Sequence, residues 1–298
     1  MTPLMWTVAG MLATLFLVIL VLNSSRAFLA GSANRLGTFV GLTAPDNLST
    51  QIADRNGRRG RAVSLGAIVG TAVPVILIVT GVIATSGRNG DPADLWFIIG
   101  GAVGGIGVGA AISALRAKPV VPEGERFARA GAVTLEDYIA PVDLIGSRVA
   151  VGISVVVLIA AAIVSPSTAL SVGGIVIALG VVALVFFEVV IRRILDRAQP
   201  VGSPAELAWN DALRARAMRD VAGAPMCLGV WGALALLLNL ASSDTGTIVA
   251  IGGAILVFGA TLAAAAFSIA SKPQQHYLRR LWPDVAAAAK AAPVTKAA

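Results

Sequence analysis

The chain has 298 residues, of which 57% are apolar and 13% charged, and its mean hydropathy of +0.84 excludes an ordinary soluble domain. A single cysteine (Cys227) and a single histidine (His276) exclude an intramolecular disulfide, a cysteine cluster and a multi-histidine metal site, so neither metal nor cofactor is expected. The net charge of +7 and the pI near 10.5 raise nucleic-acid binding, but the arginines flank apolar spans, where membrane topology retains them; no nucleic-acid partner is expected.

Residues 1–25 carry no charge and lack both a basic start and a small-x-small cleavage site, so they read as a retained first span over 3–23. The polar connection 24–61 closes on Arg55-Asn56-Gly57-Arg58-Arg59-Gly60-Arg61, the densest basic run, placed to meet anionic lipid at the membrane surface. A second span follows at 62–85, where Pro74 predicts a kink and Thr71 is set to satisfy a freed carbonyl. The third span, 95–115, holds Gly100, Gly101, Gly104, Gly105, Gly107 and Gly109. The pairs 100/104, 101/105 and 105/109 have the spacing that lets helix backbones approach closely. A phosphate-binding glycine loop would need a preceding strand, and none is patterned here.

In 116–148, Thr134-Leu135-Glu136-Asp137 is a capping pattern whose helix Pro141 limits to a short interfacial piece. The charge-free window 149–187 is too long for one crossing, and Ser165-Pro166-Ser167-Thr168 divides it into spans at 149–164 and 169–191. Glu188 is the carboxylate closest to a span interior. An i,i+4 pair with Arg192 accounts for it, and a transport role is the alternative. Ser203-Pro204-Ala205-Glu206 is a capping box with proline at the first helical position. It predicts a helix through Asp220 that ends before Gly223 and Pro225. Asp211, Arg214, Arg216 and Arg219 give that helix a polar side, read either as a partner-docking surface or as a solvated face. Spans at 222–241, with Asn239 as a further binding candidate, and at 248–270 complete the membrane domain 1–271. In the tail 272–298, Tyr277, Arg279, Arg280 and Trp282 read as an interfacial anchor, followed by an alanine-rich frayed stretch. Trp6 and Trp96 fall where an outer aromatic belt would lie, and Trp209 and Trp282 where an inner one would.

Charge decides between six and seven spans. With seven, an outside N-terminus and a cytoplasmic C-terminus, every basic residue except Arg88 lies on the cytoplasmic side. With six, the same residues divide almost evenly. The expected fold is therefore all-α, a polytopic bundle of seven transmembrane helices in the cell (cytoplasmic) membrane, with the lipid bilayer as its surroundings. After the first span the pattern is three hairpins, whose returning spans carry Gly100-Gly101, Gly173-Gly174 and Gly252-Gly253 soon after their outer ends. That echo allows a triplicated unit around a pathway, or the ordinary abundance of glycine in membrane helices.

Catalytic patterns are wanting: there is no HExxH, GxSxG or Walker lysine, and Ser64, Ser113, Ser154 and Ser171 have no His, Lys or Asp at membrane depth. Asn34-Arg35-Leu36-Gly37, Pro45-Asp46, Ala53-Asp54-Arg55, Arg58-Arg59 and Asn210-Asp211-Ala212-Leu213-Arg214 resemble uncharacterised multi-span membrane proteins of high-GC Gram-positive bacteria. The Ala/Gly/Val/Arg-heavy, lysine-poor composition fits that source, and the resemblance implies no activity. The expected role is a non-enzymatic subunit or scaffold that docks a partner through cytoplasmic segments, as a permease-type subunit docks an ATPase. A self-sufficient transporter or channel built from the three hairpins is the alternative.

Overall fold

The computed structural model describes residues 3–43, 46–81, 92–116, 133–197, 203–241 and 273–291, together with positions 199, 201, 251–253, 255 and 259. Every regular element among them is helical. The order is α1 (Pro3–Leu22), α2 (Arg26–Ala30), α3 (Ser32–Val40), α4 (Asp46–Val79), α5 (Pro92–Arg116), α6 (Leu135–Tyr138), α7 (Pro141–Val164), α8 (Pro166–Ala169), α9 (Val172–Leu195) and α10 (Pro204–Ala241). A 3-10 turn (Pro273–Gln275) then leads into α11 (His276–Leu281) and α12 (Pro283–Ala291). Six helices, α1, α4, α5, α7, α9 and α10, are long and apolar enough to cross a bilayer, so the chain is a multi-pass membrane protein. The expected seventh span, 248–270, lies almost wholly outside the described residues, as do the outer connections 82–91 and 242–250.

Helix α10 is the hub. Of its apolar window 67% is buried, against 11% for α1 at the periphery. Helices α5, α7 and α9 all pack on α10, α4 lies outside α5, and α1 leans on α4. The direction of each helix follows from side-by-side contacts. Gly107 meets Ala224 and Gly100 meets Leu228, while Gly173 meets Leu236 and Gly180 meets Gly229, so α5 and α9 run antiparallel to α10; Gly146 meets Met226 and Gly229 meets Ala150, so α7 runs parallel to it. The N-terminal halves of α4, α7 and α10 therefore gather at one end with the C-termini of α5 and α9. That end carries the arginines. It also holds the largest core cluster, including Tyr138, Phe187, Trp209, Met218 and Tyr277.

Glycine sets the α4–α5 contact. A Cβ on Gly105 would overlap the Gly66 carbonyl, one on Gly101 the Gly70 carbonyl and one on Gly109 the Ala62 carbonyl. The backbones thus touch, with carbonyl oxygens facing Cα atoms across the interface. Gly100 and Gly104 face Leu228 of α10 instead. The partner glycines Gly66 and Gly70 have the same four-residue spacing, which is the sequence signal that completes the motif.

Four expectations need correction. The helix from Pro204 does not stop before Gly223: α10 runs 38 residues with Pro225 inside it. In apolar surroundings, one carbonyl left without its amide partner costs less than unwinding a turn and exposing several. The basic run likewise does not form a loop, because α4 carries it as a helix from Asp46. The fourth span does not begin at 149: Pro141 starts α7, at the first-turn position where its missing N–H is harmless, and the capped helix Leu135–Tyr138 stays short ahead of it, as expected. Finally, Thr71 donates to Ala67 O at 2.8 Å and not to Gly70 O, the carbonyl that Pro74 frees. The first two hairpins also pack differently. Gly101 faces its own hairpin partner α4, whereas Gly173 faces α10 of the next hairpin.

Candidate functional site

At the arginine-rich end the helices extend beyond their apolar spans and are joined by polar side chains. Two caps start this region. Ser203 Oγ accepts from Glu206 N–H at 3.2 Å at the head of α10, and the Asp137 carboxylate accepts from Thr134 N–H at 2.8 Å at the head of α6. The first fixes where α10 begins and hence the register of its polar residues.

Those residues bind the rest of the chain. Arg55 of α4 donates to Asn210 Oδ1, Arg59 Nε donates to Asp220 at 2.7 Å, and Arg216 donates to Asn56 Oδ1 at 3.1 Å. These three pairs join about one turn of α4 to about three turns of α10. On the other side Arg219 Nε donates to Asp143 of α7 at 2.9 Å. Arg214 caps the end of α9 by donating to the carbonyls of Leu195 and Arg197, and its guanidinium lies 5.7 Å from the centre of the Tyr138 ring.

Asp211 sits at the centre with no exposure at all. Its carboxylate accepts from Tyr138 Oη at 2.7 Å and from Trp282 Nε1 at 3.0 Å. In the amide orientation that satisfies both its ends, Gln199 donates to Asp211 Oδ1 and accepts from Arg214 Nε, each at 3.1 Å. A buried carboxylate is tolerable only when its lone pairs are taken up in this way. One side chain therefore holds together the 133–140 segment, α10, the 195–201 connection and the C-terminal segment.

That C-terminal segment, expected as an interfacial anchor, is seated against the other helices over 273–282. Tyr277 is buried and donates to Val40 O at 3.3 Å, and His276 Nε2 lies 2.8 Å from Glu136 O. Burial, reinforced by the Asp211 carboxylate, pushes the Tyr277 phenol above its ordinary range. Gly41, left-handed at φ 79°, ends α3 and lets Leu278 and Gln275 come close; its N–H donates to Gly37 O at 2.8 Å.

The sequence-derived candidates fall in different places. Asp211, Arg214, Arg216 and Arg219, expected on a polar surface, are turned into this internal clasp. Glu188 bonds Arg148 of α7, at 2.9 and 2.7 Å from Nε and Nη2, and not Arg192, which is exposed. The neighbouring helix offers both guanidinium donors to one carboxylate oxygen, which a residue one turn along the same helix does not. Asn239 is half-buried on the far half of α10, remote from the clasp. Trp209 and Trp282, expected in an aromatic belt, bond Thr43 O (3.2 Å) and Asp211. At the opposite end Trp96 stacks on Trp231 at 4.6 Å. The partners that sequence reading missed are Asn56, Tyr138, Asp143 and Gln199. Their only signal was that each is a polar or phenolic group in a segment flanking an apolar span.

Two span serines bond their own helix: Ser147 Oγ donates to Leu144 O at 3.0 Å and Ser154 Oγ to Val151 O at 2.7 Å, whereas Ser64 Oγ and Ser171 Oγ are buried without a hydrogen-bond partner among the described residues. Comparison with family models, curated proteins and solved structures returns no match.

Proposed function

We propose that this chain is a non-enzymatic, seven-span subunit or scaffold of the cell membrane whose arginine-rich end faces the cytoplasm and docks a protein partner. The observation that carries the reading is the clasp. It makes one preformed platform from the extensions of α4, α7 and α10, the α6 segment and the C-terminal segment. Exposed residues such as Asp54, Arg279 and Asp284 form its outer face. A rigid platform suits docking because little conformational freedom is lost when a partner binds.

Two observations support seven crossings. Gly253 lies beside Leu237 near the far end of α10, whereas Gln275 and Leu278 lie beside Gly41 at the arginine-rich end. The chain between them is free of charge through residue 271, and its roughly 20 residues cover about 30 Å as a helix. The positive-inside rule then directs the arginine-rich end to the cytoplasm. The transporter alternative draws less support. The centre of the bundle is occupied by α10, whose Leu228, Ala233 and Leu236 are buried against neighbouring helices.

The test is co-purification of the full chain with a stoichiometric partner. Leu213→Pro, which breaks the platform portion of α10, should lose that partner. Because this change also loosens the fold, the exposed reversals Asp54→Lys and Asp284→Lys separate docking from folding. They should weaken the partner and leave thermal unfolding unchanged. Solute flux through the chain reconstituted alone, altered by Glu188→Gln, would instead establish the transporter reading.

A further inference from the structure

Two groups of arginines stand out at the arginine-rich end. Arg55, Arg59, Arg214, Arg216 and Arg219 are held by the clasp, as described above. Arg58, Arg61, Arg192 and Arg193 are exposed and make no ion pair or hydrogen bond among the described residues. Their positions are not scattered. On α4 the exposed apolar residues Leu65, Val69, Val73 and Ile76 form one stripe, and helical spacing carries that stripe back onto Arg61 and, one turn further, Arg58. On α9 the exposed Val182, Val185, Phe186 and Val189 form a second stripe, which continues directly onto Arg192 and Arg193. The same geometry thus occurs twice, in helices of opposite direction. Each is a lipid-facing apolar track ending at the arginine-rich end in two unpartnered guanidinium groups.

We infer that each track is a binding site for an anionic phospholipid, whose acyl chains lie along the apolar stripe and whose phosphate is held by the arginine pair. The stripe faces hydrocarbon, so the arginines that end it stand at headgroup depth. A guanidinium there is left with donors that a phosphate oxygen fits, in the forked geometry that favours arginine over lysine. The chain has 19 arginines for 4 lysines by direct count of its sequence. A free anion in the cytosol would satisfy the charge but would leave the apolar track unused. Arg58 shares the α4 extension with Asp54, but the lipid sites use none of Asp54, Arg279 or Asp284, so this inference is tested apart from the proposed partner.

The experiment is native mass spectrometry of the delipidated full chain, titrated with phosphatidylglycerol or with phosphatidylcholine of the same acyl chains. Wild type should retain two phosphatidylglycerol molecules in preference to phosphatidylcholine. Arg58→Gln/Arg61→Gln and Arg192→Gln/Arg193→Gln should each lose one, with affinity at the altered site falling roughly 25-fold, about fivefold per arginine near a membrane surface. The combined variant should lose both, while the Lys versions keep most of the binding. Arg279→Gln/Arg280→Gln removes equal charge from the C-terminal segment and should keep both lipids. Thermal unfolding in detergent should match wild type for the Arg58/Arg61 and Arg192/Arg193 variants, which remove no side-chain bond among the described residues; the control loses the Arg280–Asp137 ion pair at 3.9 Å and is read on lipid retention alone. Equal retention of phosphatidylcholine, equal loss in the Arg279/Arg280 control, or displacement of the lipid by millimolar inorganic phosphate would each overturn the inference.

Discussion

Asp211 has no exposure, and its neighbours Tyr138 and Trp282 each spend their polar hydrogen on it. Removing the carboxylate leaves those donors buried without an acceptor, which is the expensive half of any hydrogen bond. Asp211→Ala should therefore lower the unfolding free energy by about 2–4 kcal/mol and release the C-terminal segment, read out as faster proteolysis after Leu281. Tyr138→Phe removes one donor together with its share of the acceptor's satisfaction and should cost less. Tyr277 adds a pH dependence. Its phenol is held neutral by burial, then by Asp211, so the folded pKa lies above the unfolded value near 10. Its contribution is complete below pH 10 and is lost as the pH rises beyond it. The chain has only two tyrosines, so an absorbance titration of phenolate, with Tyr277→Phe as the reference, should show late ionisation that coincides with loosening of the segment.

The helices show which features could be read from sequence and which could not. Six of the expected apolar spans were legible because hydrocarbon enforces length and lack of charge, whatever the helix packs against. The glycine-rich face of α5 was legible as a packing surface, but its partner was not, since four-residue spacing on α5 does not say which helix supplies Gly66 and Gly70. Continuity was the largest error. Gly223 and Pro225 are stop signals in water, where released backbone groups find solvent; inside the bundle they are not, and α10 passes through both. The clasp was illegible for another reason: Arg59 and Asp220 stand 161 positions apart, and no local pattern encodes a pairing across that separation. The glycines offer a paired test. Gly105→Ala places a methyl on the Gly66 carbonyl and should destabilise by about 1–3 kcal/mol or more, whereas Gly152, with nothing within 4 Å of a built Cβ, should gain about 0.5–1 kcal/mol as Ala. Denaturant unfolding in detergent distinguishes the two signs.

At the scale of the whole molecule, helix directions place Asp54 and Val285 at one end of the bundle and Ser167 at the other. With Cys227→Ser as a cysteine-free background, single cysteines at these three exposed positions can be labelled from either side of intact cells. Asp54→Cys and Val285→Cys should react from the same side, and Ser167→Cys from the opposite one. Shared sidedness of the first two requires an odd crossing between α10 and α11; opposite sidedness would refute the seventh span.

The hydrogen bond from Trp282 to Asp211 joins residues 71 positions apart, and that separation has a meaning in time. A growing chain is made from its N-terminus at about 5–20 residues per second, so Trp282 is synthesised roughly 4–14 s after the carboxylate it covers. During that interval the remainder of α10 is made, while Asp211 lacks its last donor and the seat beside Gly41 stands empty. The platform therefore cannot close helix by helix as the spans enter the membrane. It closes in one late step, when the stretch from His276 to Trp282 has been made and folds back onto helices that have been waiting for it.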